Sequence, residues 1–317
     1  MSGKNATETV FADAKGIARA ANILAGGGLV AVPTETVYGL AARADSDHAV
    51  ARIYQAKGRP SFNPLIVHVR DAEQAARYAR LERDADRLAR SVWPGPLTLV
   101  LSRREDAGLA AAVTAGLPTV ALRAPAHPAM RALLAACDFP LAAPSANRSG
   151  FISPTRAEHV SASLDGRIDL ILDAGPCEEG VESTILAIRE DGRWDELRPG
   201  PVDLDALHQR LLGAPRESGG AGDAIEAPGQ LASHYAPGKP VRLNAAAAAP
   251  DEFMIGFGDV TGHCSLSLRG DLGEAAARLY ACLHEAARSD LPRVAVAAVP
   301  EAGIGVAIND RLRRAAA

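Results

Sequence analysis

The sequence predicts an α/β layered fold in two unequal parts, and three observations carry that expectation. Short apolar runs alternate with helix-period patterns over residues 10–212, the signature of strands layered against helices. A stretch rich in Gly and Pro interrupts the pattern over 213–240. The alternation then resumes on a smaller scale over 241–317. A chain of 317 residues, 48% of them apolar, is long enough to bury one large core and one small one.

The elements follow in order. A helix over 13–25 leads into Gly28-Leu29-Val30-Ala31-Val32, an unbroken apolar run that reads as a buried strand. That strand ends at Pro33, which has no N–H to donate, and passes directly into Thr34-Glu35-Thr36. Further strands are expected over 65–69, 97–101, 119–123, 140–143, 169–173 and 183–188. Helices are expected over 47–56, 72–80, 84–91, 127–136, 156–163 and 203–212. Beyond the linker come a strand over 253–257, a helix over 272–288, a strand over 293–296 and a helix over 303–314. The alternation fixes the layers but not the strand order.

Bulk properties narrow the function. Acidic residues outnumber basic ones, 38 to 34, with the excess spread evenly along the chain, which disfavours a dedicated polyanion-binding surface. No apolar run approaches the length of a membrane span, and Met1 to Glu8 lacks a signal-peptide pattern. Cys137, Cys177, Cys264 and Cys282 are scattered without metal-ligand spacing, so a reduced, cytoplasmic protein without a metal site is expected.

Polar groups collect at strand ends, where open α/β sheets bind ligands. Lys57-Gly58-Arg59-Pro60 could neutralise phosphates, although cations also complement the C-terminus of a helix. Asn63 follows, and His68 lies within a strand. Thr119 opens and Arg123 closes the strand 119–123, and an arginine at such an end can clamp a carboxylate bidentately. Ala143-Pro144-Ser145-Ala146-Asn147 carries two donors that face the same way if the segment is extended. Ser153, Ser183, Arg198 and His234-Tyr235 add hydroxyls, a fourth cation and two rings. Taken singly, each has a structural explanation: turn chemistry, a helix cap, a surface ion pair or a docking ring. Gly-x-x-x-x-Gly-Lys-Ser/Thr, Gly-x-Ser-x-Gly and His-Glu-x-x-His are all absent, as is any evident nucleophile–base pair. Cations and hydroxyls without a nucleophile point to catalysis by positioning and charge stabilisation.

In this order, several segments resemble the L-threonylcarbamoyladenylate synthases. They are Pro33 to Leu40, Lys57-Gly58-Arg59-Pro60 with Asn63-Pro64-Leu65, Trp93-Pro94-Gly95-Pro96-Leu97-Thr98, Pro144-Ser145-Ala146-Asn147, Val181-Glu182-Ser183-Thr184, Arg198-Pro199-Gly200 and His234-Tyr235-Ala236-Pro237. The resemblance is to the long form and spans residues 15–240; beyond 240 it rests on domain order and size. It implies a YrdC-like open, twisted, mixed sheet with flanking helices over 1–212. It also implies a linker over 213–240 that could act as an active-site lid, and a small Rossmann-like α/β domain over 241–317. The implied reaction joins L-threonine, bicarbonate or carbon dioxide, and ATP into threonylcarbamoyl-AMP and pyrophosphate.

By position, the resemblance puts Thr36, His68, Arg123, Ala143 (through its backbone) and Ser183 on threonine. Lys57, Arg59, Asn63, Thr119, Ser145, Asn147, Ser153, Arg198 and Tyr235 fall on ATP, with Lys57 and Arg59 as catalytic cations and Mg²⁺ carried on the triphosphate. Implied partners are the proteins that transfer the threonylcarbamoyl group to tRNA, with at most a weak, transient contact to tRNA itself. Two rival readings are a carbamoyltransferase of the hydrogenase-maturation type and a double-stranded RNA-binding or ribosome-assembly module. The first is disfavoured because no Cys-x-x-Cys pair is present, the second by the acidic balance.

Overall fold

The computed structural model describes residues 6–204, 206–207, 225–230 and 234–317. Most of the helix expected over 203–212, and residues 213–224 and 231–233 of the linker, lie outside them. The first part of the chain runs β1 (Glu8–Phe11), α1 (Ala14–Ala25), β2 (Val30–Val32), β3 (Gly39–Arg43), α2 (Asp47–Lys57), β4 (Ile66–His68), α3 (Ala72–Ala75), α4 (Arg83–Val92), β5 (Leu97–Ser102) and α5 (Ala111–Thr114). It continues through β6 (Thr119–Arg123), α6 (Pro128–Ala136), β7 (Leu141–Ala142), α7 (Ala157–Leu164), β8 (Leu170–Asp173), β9 (Thr184–Ile188) and β10 (Trp194–Arg198). The second part comprises β11 (Val241–Arg242), β12 (Glu252–Gly256), β13 (Cys264–Ser265), α8 (Leu272–Arg288), β14 (Arg293–Val296) and α9 (Gly305–Ala316).

Among the described residues the large sheet has ten strands in the order β1-β8-β2-β3-β7-β4-β6-β5-β9-β10. It is mixed: β4 and β6 run parallel, for example, while β3 and β7 run antiparallel. Strands β1, β3 and β10 were not expected. The Pro33–Leu40 segment does leave β2 as a polar turn, but the chain then returns antiparallel as β3, pairing Val30 with Ala41. Gly-Leu-Ala-Ala-Arg is too small and too short to announce itself as a strand, and β1 and β10 carry Glu, Asp and Thr. Conversely, the helix expected over 72–80 stops at Ala75, capped at its start by the Asp71 carboxylate.

Strand alternation decides where the cavity lies. One face of the sheet, carrying Leu40, Ala42, Val67, Leu99, Leu122 and Leu186, packs on a continuous core. On the opposite face, α1 and α6 cover β2, β3, β7 and β8 through Ile17, Leu24, Met130 and Leu133. Among the described residues, the same face of β4, β5, β6 and β9 has no such helix. There only a small cluster forms, Ile66, Val100, Ala121, Ile185 and Ala187, closed by Ala227 from the linker. Two residues along from these apolar positions stand His68, Thr98, Arg123 and Ser183, which therefore share that face.

The second sheet is parallel throughout, in the order β11-β14-β12-β13, with α8 and α9 completing a small α/β unit. Its core is shared with the first part, because Val37, Ile152, Val181 and Tyr235 belong to the same apolar cluster as Leu279, Tyr280 and Leu283. Contact is close at Gly180, whose φ is +69°. A Cβ there would sit 2.3 Å from Ala276 O and 2.4 Å from Ala277 Cα, both in the α8 backbone. Gly180→Ala is therefore expected to cost about 3 kcal/mol, on the order of 5–10 °C in Tm, by overpacking and backbone strain together. An unchanged Tm would show that the two parts separate there without cost. No helix among the described residues is long and apolar enough to cross a membrane.

Candidate active site

The half of the sheet face that carries His68, Arg123 and Ser183 forms the floor of a partly enclosed cavity. Its first wall is the turn after β2. Thr34 Oγ1 accepts from the backbone N–H groups of Thr36 and Val37, both at 3.2 Å, and donates to Val37 O at 2.6 Å. With that proton committed, the 2.9 Å contact between the two threonine hydroxyls has Thr36 donating to Thr34. Thr36 Oγ1 also accepts from Arg123 Nη1 at 3.0 Å, so its orientation is fixed from both sides.

Arg123 is buried at the end of β6, register-paired with His68 of β4. Its Nε donates to Gly95 O at 3.3 Å, and its Nη2 lies 2.7 Å from Glu35 Oε1. That ion pair lacks hydrogen-bond angles, since neither Nη2 nor the Glu35 oxygens have a hydrogen-bond partner. Burial pushes the Glu35 carboxyl up, but Arg123 pulls it down by charge and the net position is below the ordinary value. Glu35 does not line the cavity, whereas Thr34 and Thr36 do, so it neutralises Arg123 from behind. Burial, and secondarily the charge on Arg123, bring the His68 ring to about 3, which leaves it neutral. Its Nδ1 is buried without a partner.

The opposite wall is built on the approach to β9. Ser183 Oγ lies 2.7 Å from Thr98 Oγ1 and accepts from Arg198 Nη2 at 3.1 Å. Arg198 Nε donates to Ser183 O at 3.0 Å, and its Nη1 reaches Pro228 O of the linker at 3.3 Å. The roof is the linker: Pro228, Gly229, His234 and Tyr235 all line the cavity. Tyr235 is fully buried in a left-handed backbone conformation (φ +64°), with the His234 ring edge-on at 4.1 Å.

Sequence-predicted residues divide into two layers. Thr36, Arg59, His68, Arg123, Ala143, Ser145, Ser183, Arg198 and Tyr235 line the cavity. Lys57, Asn63, Asn147 and Ser153 stand behind the wall instead. Lys57 Nζ donates to Ser145 O at 2.6 Å, Asn147 O at 2.5 Å and Asn147 Oδ1 at 3.4 Å, so the lysine straps that loop down. Burial and the charge of Arg59 lower its pKa well below the ordinary lysine value. Asn63 Oδ1 and Pro64 O hold Arg59 Nη2 at 2.6 and 2.8 Å. Ser153 Oγ donates to Glu182 Oε1 at 2.5 Å. Thr119 shares the face of Arg123 but stands at the far end of β6, half-buried and outside the lining.

The sequence reading gives no substrate role to Thr34 or His234, which it notes only as part of a polar turn and of the linker, and it gives no role to Glu182, Pro228 or Gly229. For Glu182 a signal existed, a carboxylate wedged between buried Val181 and the Ser183 hydroxyl. Three buried arginines, Arg59, Arg123 and Arg198, converge here with hydroxyls and, among the described residues, a single lining carboxylate, Glu182. The fold and site thus define an α/β protein whose cavity concentrates fixed positive charge and hydroxyl groups suited to anionic small molecules.

Comparison with known proteins makes this specific. Residues 22–200 match the Sua5, YciO and YrdC family model, described as telomere recombination, and residues 202–317 match that of the threonylcarbamoyl-AMP synthase C-terminal domain. The chain is 39% identical to the threonylcarbamoyl-AMP synthase of Bacillus subtilis, over 95% of this chain and 92% of that one. It is 38% identical to that of Pyrococcus abyssi, over 93% and 92%. The crystal structure of Pyrococcus abyssi Sua5 complexed with L-threonine superposes with a TM-score of 0.88 at 36% identity, covering 98% and 96% of the two chains. The chain belongs to the threonylcarbamoyl-AMP synthase family, in its long, two-domain form.

Proposed function

We propose that this protein condenses L-threonine, bicarbonate or carbon dioxide, and ATP into threonylcarbamoyl-AMP and pyrophosphate. The observation that carries the reading is the convergence of Arg59, Arg123 and Arg198 on one cavity with oriented hydroxyls and no nucleophile. The substrate supplies the nucleophile: threonine's amine takes up carbon dioxide, and a carbamate oxygen then attacks the α-phosphorus as pyrophosphate leaves. The protein's task is to hold two anions in line and offset their repulsion.

Threonine is assigned to the half made by Thr36, His68, Arg123, Ala143 and Ser183, with its carboxylate on Arg123 and neutral His68 as a hydrogen-bonding group. ATP is assigned to Arg59, Ser145, Arg198 and Tyr235, supported from behind by Lys57, Asn63, Asn147 and Ser153, with Thr119 further along the sheet face. Mg²⁺ would arrive on the ATP phosphates, because both oxygens of Glu182 already accept hydrogen bonds from protein groups. The product would serve cytoplasmic proteins that threonylcarbamoylate tRNA, with at most brief contact between this chain and the tRNA.

Exchange of labelled pyrophosphate into ATP tests the reading: it should require both threonine and bicarbonate. Exchange without threonine would overturn it. The linker is proposed as a lid, since Ala227 covers the sheet face and Pro228 holds Arg198. Deleting residues 225–230 should therefore release the intermediate faster in a trapping assay, and unchanged retention would remove the lid from the mechanism.

A further inference from the structure

One buried polar cluster joins the two domains at the cavity wall. Glu182, which lines the cavity, receives hydrogen bonds from both sides. Ser153 Oγ donates to its Oε1 at 2.5 Å, while Tyr280 Oη and Arg311 Nε donate to its Oε2 at 2.7 and 3.0 Å. Tyr280 belongs to α8 and Arg311 to α9, so both donors to Oε2 come from the second domain. Arg311 also reaches the Glu182 backbone carbonyl at 3.4 Å and is itself held by Asp310 Oδ2 at 2.8 Å. It is completely buried.

We infer that Tyr280 and Arg311 are positioning residues for the reaction: through Glu182 they set the Ser153 hydroxyl behind the cavity wall and the Ser183 strand end within it. The chain of contacts is continuous. Arg311 grips Glu182 by side chain and backbone, and the adjacent Ser183 receives Arg198 on both its hydroxyl and its carbonyl. Arg198 in turn holds the linker at Pro228. The second domain thereby supplies the rear support of the wall that the first domain presents to its ligands.

Energetics favour this reading over a simple docking staple. Two charges taken out of water lose several kcal/mol each in solvation, so a buried ion pair is a poor way to glue domains that already share an apolar core. What it provides is fixed geometry. Glu182 remains ionised despite its burial, drawn down to about 2 chiefly by Arg311 and Arg198, and it therefore stays an acceptor for all three donors.

The inference rests on the proposed function for its kinetic test, and a second readout makes it independent. Tyr280→Phe deletes one donor while keeping the ring. With Arg311→Met it should raise the KM values for ATP and threonine about ten-fold, the scale of a hydrogen bond to a charged group. Arg311→Lys should recover part of the loss. Neither change should add to the effect of Glu182→Gln, because both act through that carboxylate. In parallel, amide hydrogen exchange on the full chain should speed up across residues 151–155 and 181–184 in Tyr280→Phe.

A wild type without threonine-dependent exchange would overturn the functional reading, and the amide-exchange result would still decide the network. Tyr280→Phe with a lower Tm but wild-type KM values and unchanged exchange at 151–155 and 181–184 would reduce the cluster to a domain staple. Independent, additive effects of Tyr280→Phe and Glu182→Gln would also overturn it.

Discussion

Arg123→Ala is expected to raise the KM for threonine by about two to three orders of magnitude while the KM for ATP moves only a few-fold. The guanidinium is buried, fixed by Gly95 O and Thr36 Oγ1, and its loss removes charge-assisted contacts to the proposed carboxylate. Hydrogen bonds to charged groups contribute about 1.5–3 kcal/mol each, and a bidentate clamp has two of them. The variant also leaves Glu35 as an unpaired buried carboxylate, a change of about 3–5 kcal/mol in fold stability. The two effects separate in Arg123→Ala/Glu35→Gln. Removing the orphan charge should restore most of the lost Tm without restoring threonine affinity. Equal rises in both KM values would sink the carboxylate assignment.

Much of this site is legible in the sequence, and the physical reason is period-2 alternation. Once 65–69 and 119–123 are strands, His68 and Arg123 stand two residues from the apolar positions Ile66 and Ala121 and share their face. The β3 return was not legible, because Ala and Gly carry little strand signal and the pairing partner is what fixes them. Position alone also could not sort lining residues from supporting ones. Lys57 follows the same helix end that presents Arg59 to the cavity, yet its ammonium is consumed by the carbonyls of the 145–147 loop. Nor could the sequence connect Glu182 to Arg311, residues 129 apart in the chain. That contact exists only because two separately patterned domains pack at Gly180, and glycine at a close approach leaves no periodic trace.

The second large effect expected is acid instability beginning near neutrality, well above the range where carboxylates titrate. Four histidines, three of them buried and His284 half-buried, are held neutral by the fold. His68 and His234 in the cavity titrate at about 3, as does His159, and His284 at about 4, burial being the first cause in each case. His159 and His284 stack at 3.8 Å across the domain seam, where the His284 Nε2–H donates to Ser153 O at 3.2 Å. An unfolded histidine titrates near 6.5, so between that value and the folded one the unfolded chain binds more protons. Stability is therefore fully present above about pH 6.5 and is lost as pH falls towards 4 and 3.

By pH 5 each such group has cost the fold about 2 kcal/mol, since one pKa unit corresponds to about 1.4 kcal/mol. Four of them together approach the whole net stability of a typical domain, about 5–15 kcal/mol. Glu182 acts in the same direction but later: its depressed value near 2 withdraws support only as pH falls from about 4.5 to 2. Urea unfolding measured from pH 8 to pH 5 should show free energy falling with a slope of several protons. His284→Gln keeps a donor for Ser153 O but cannot titrate, so it should reduce that slope by up to one proton, about 1.4 kcal/mol per pH unit. A flat profile between pH 7 and 5, or a slope indifferent to His284→Gln, would mean that the seam opens to water and the histidines titrate as they do in the unfolded chain.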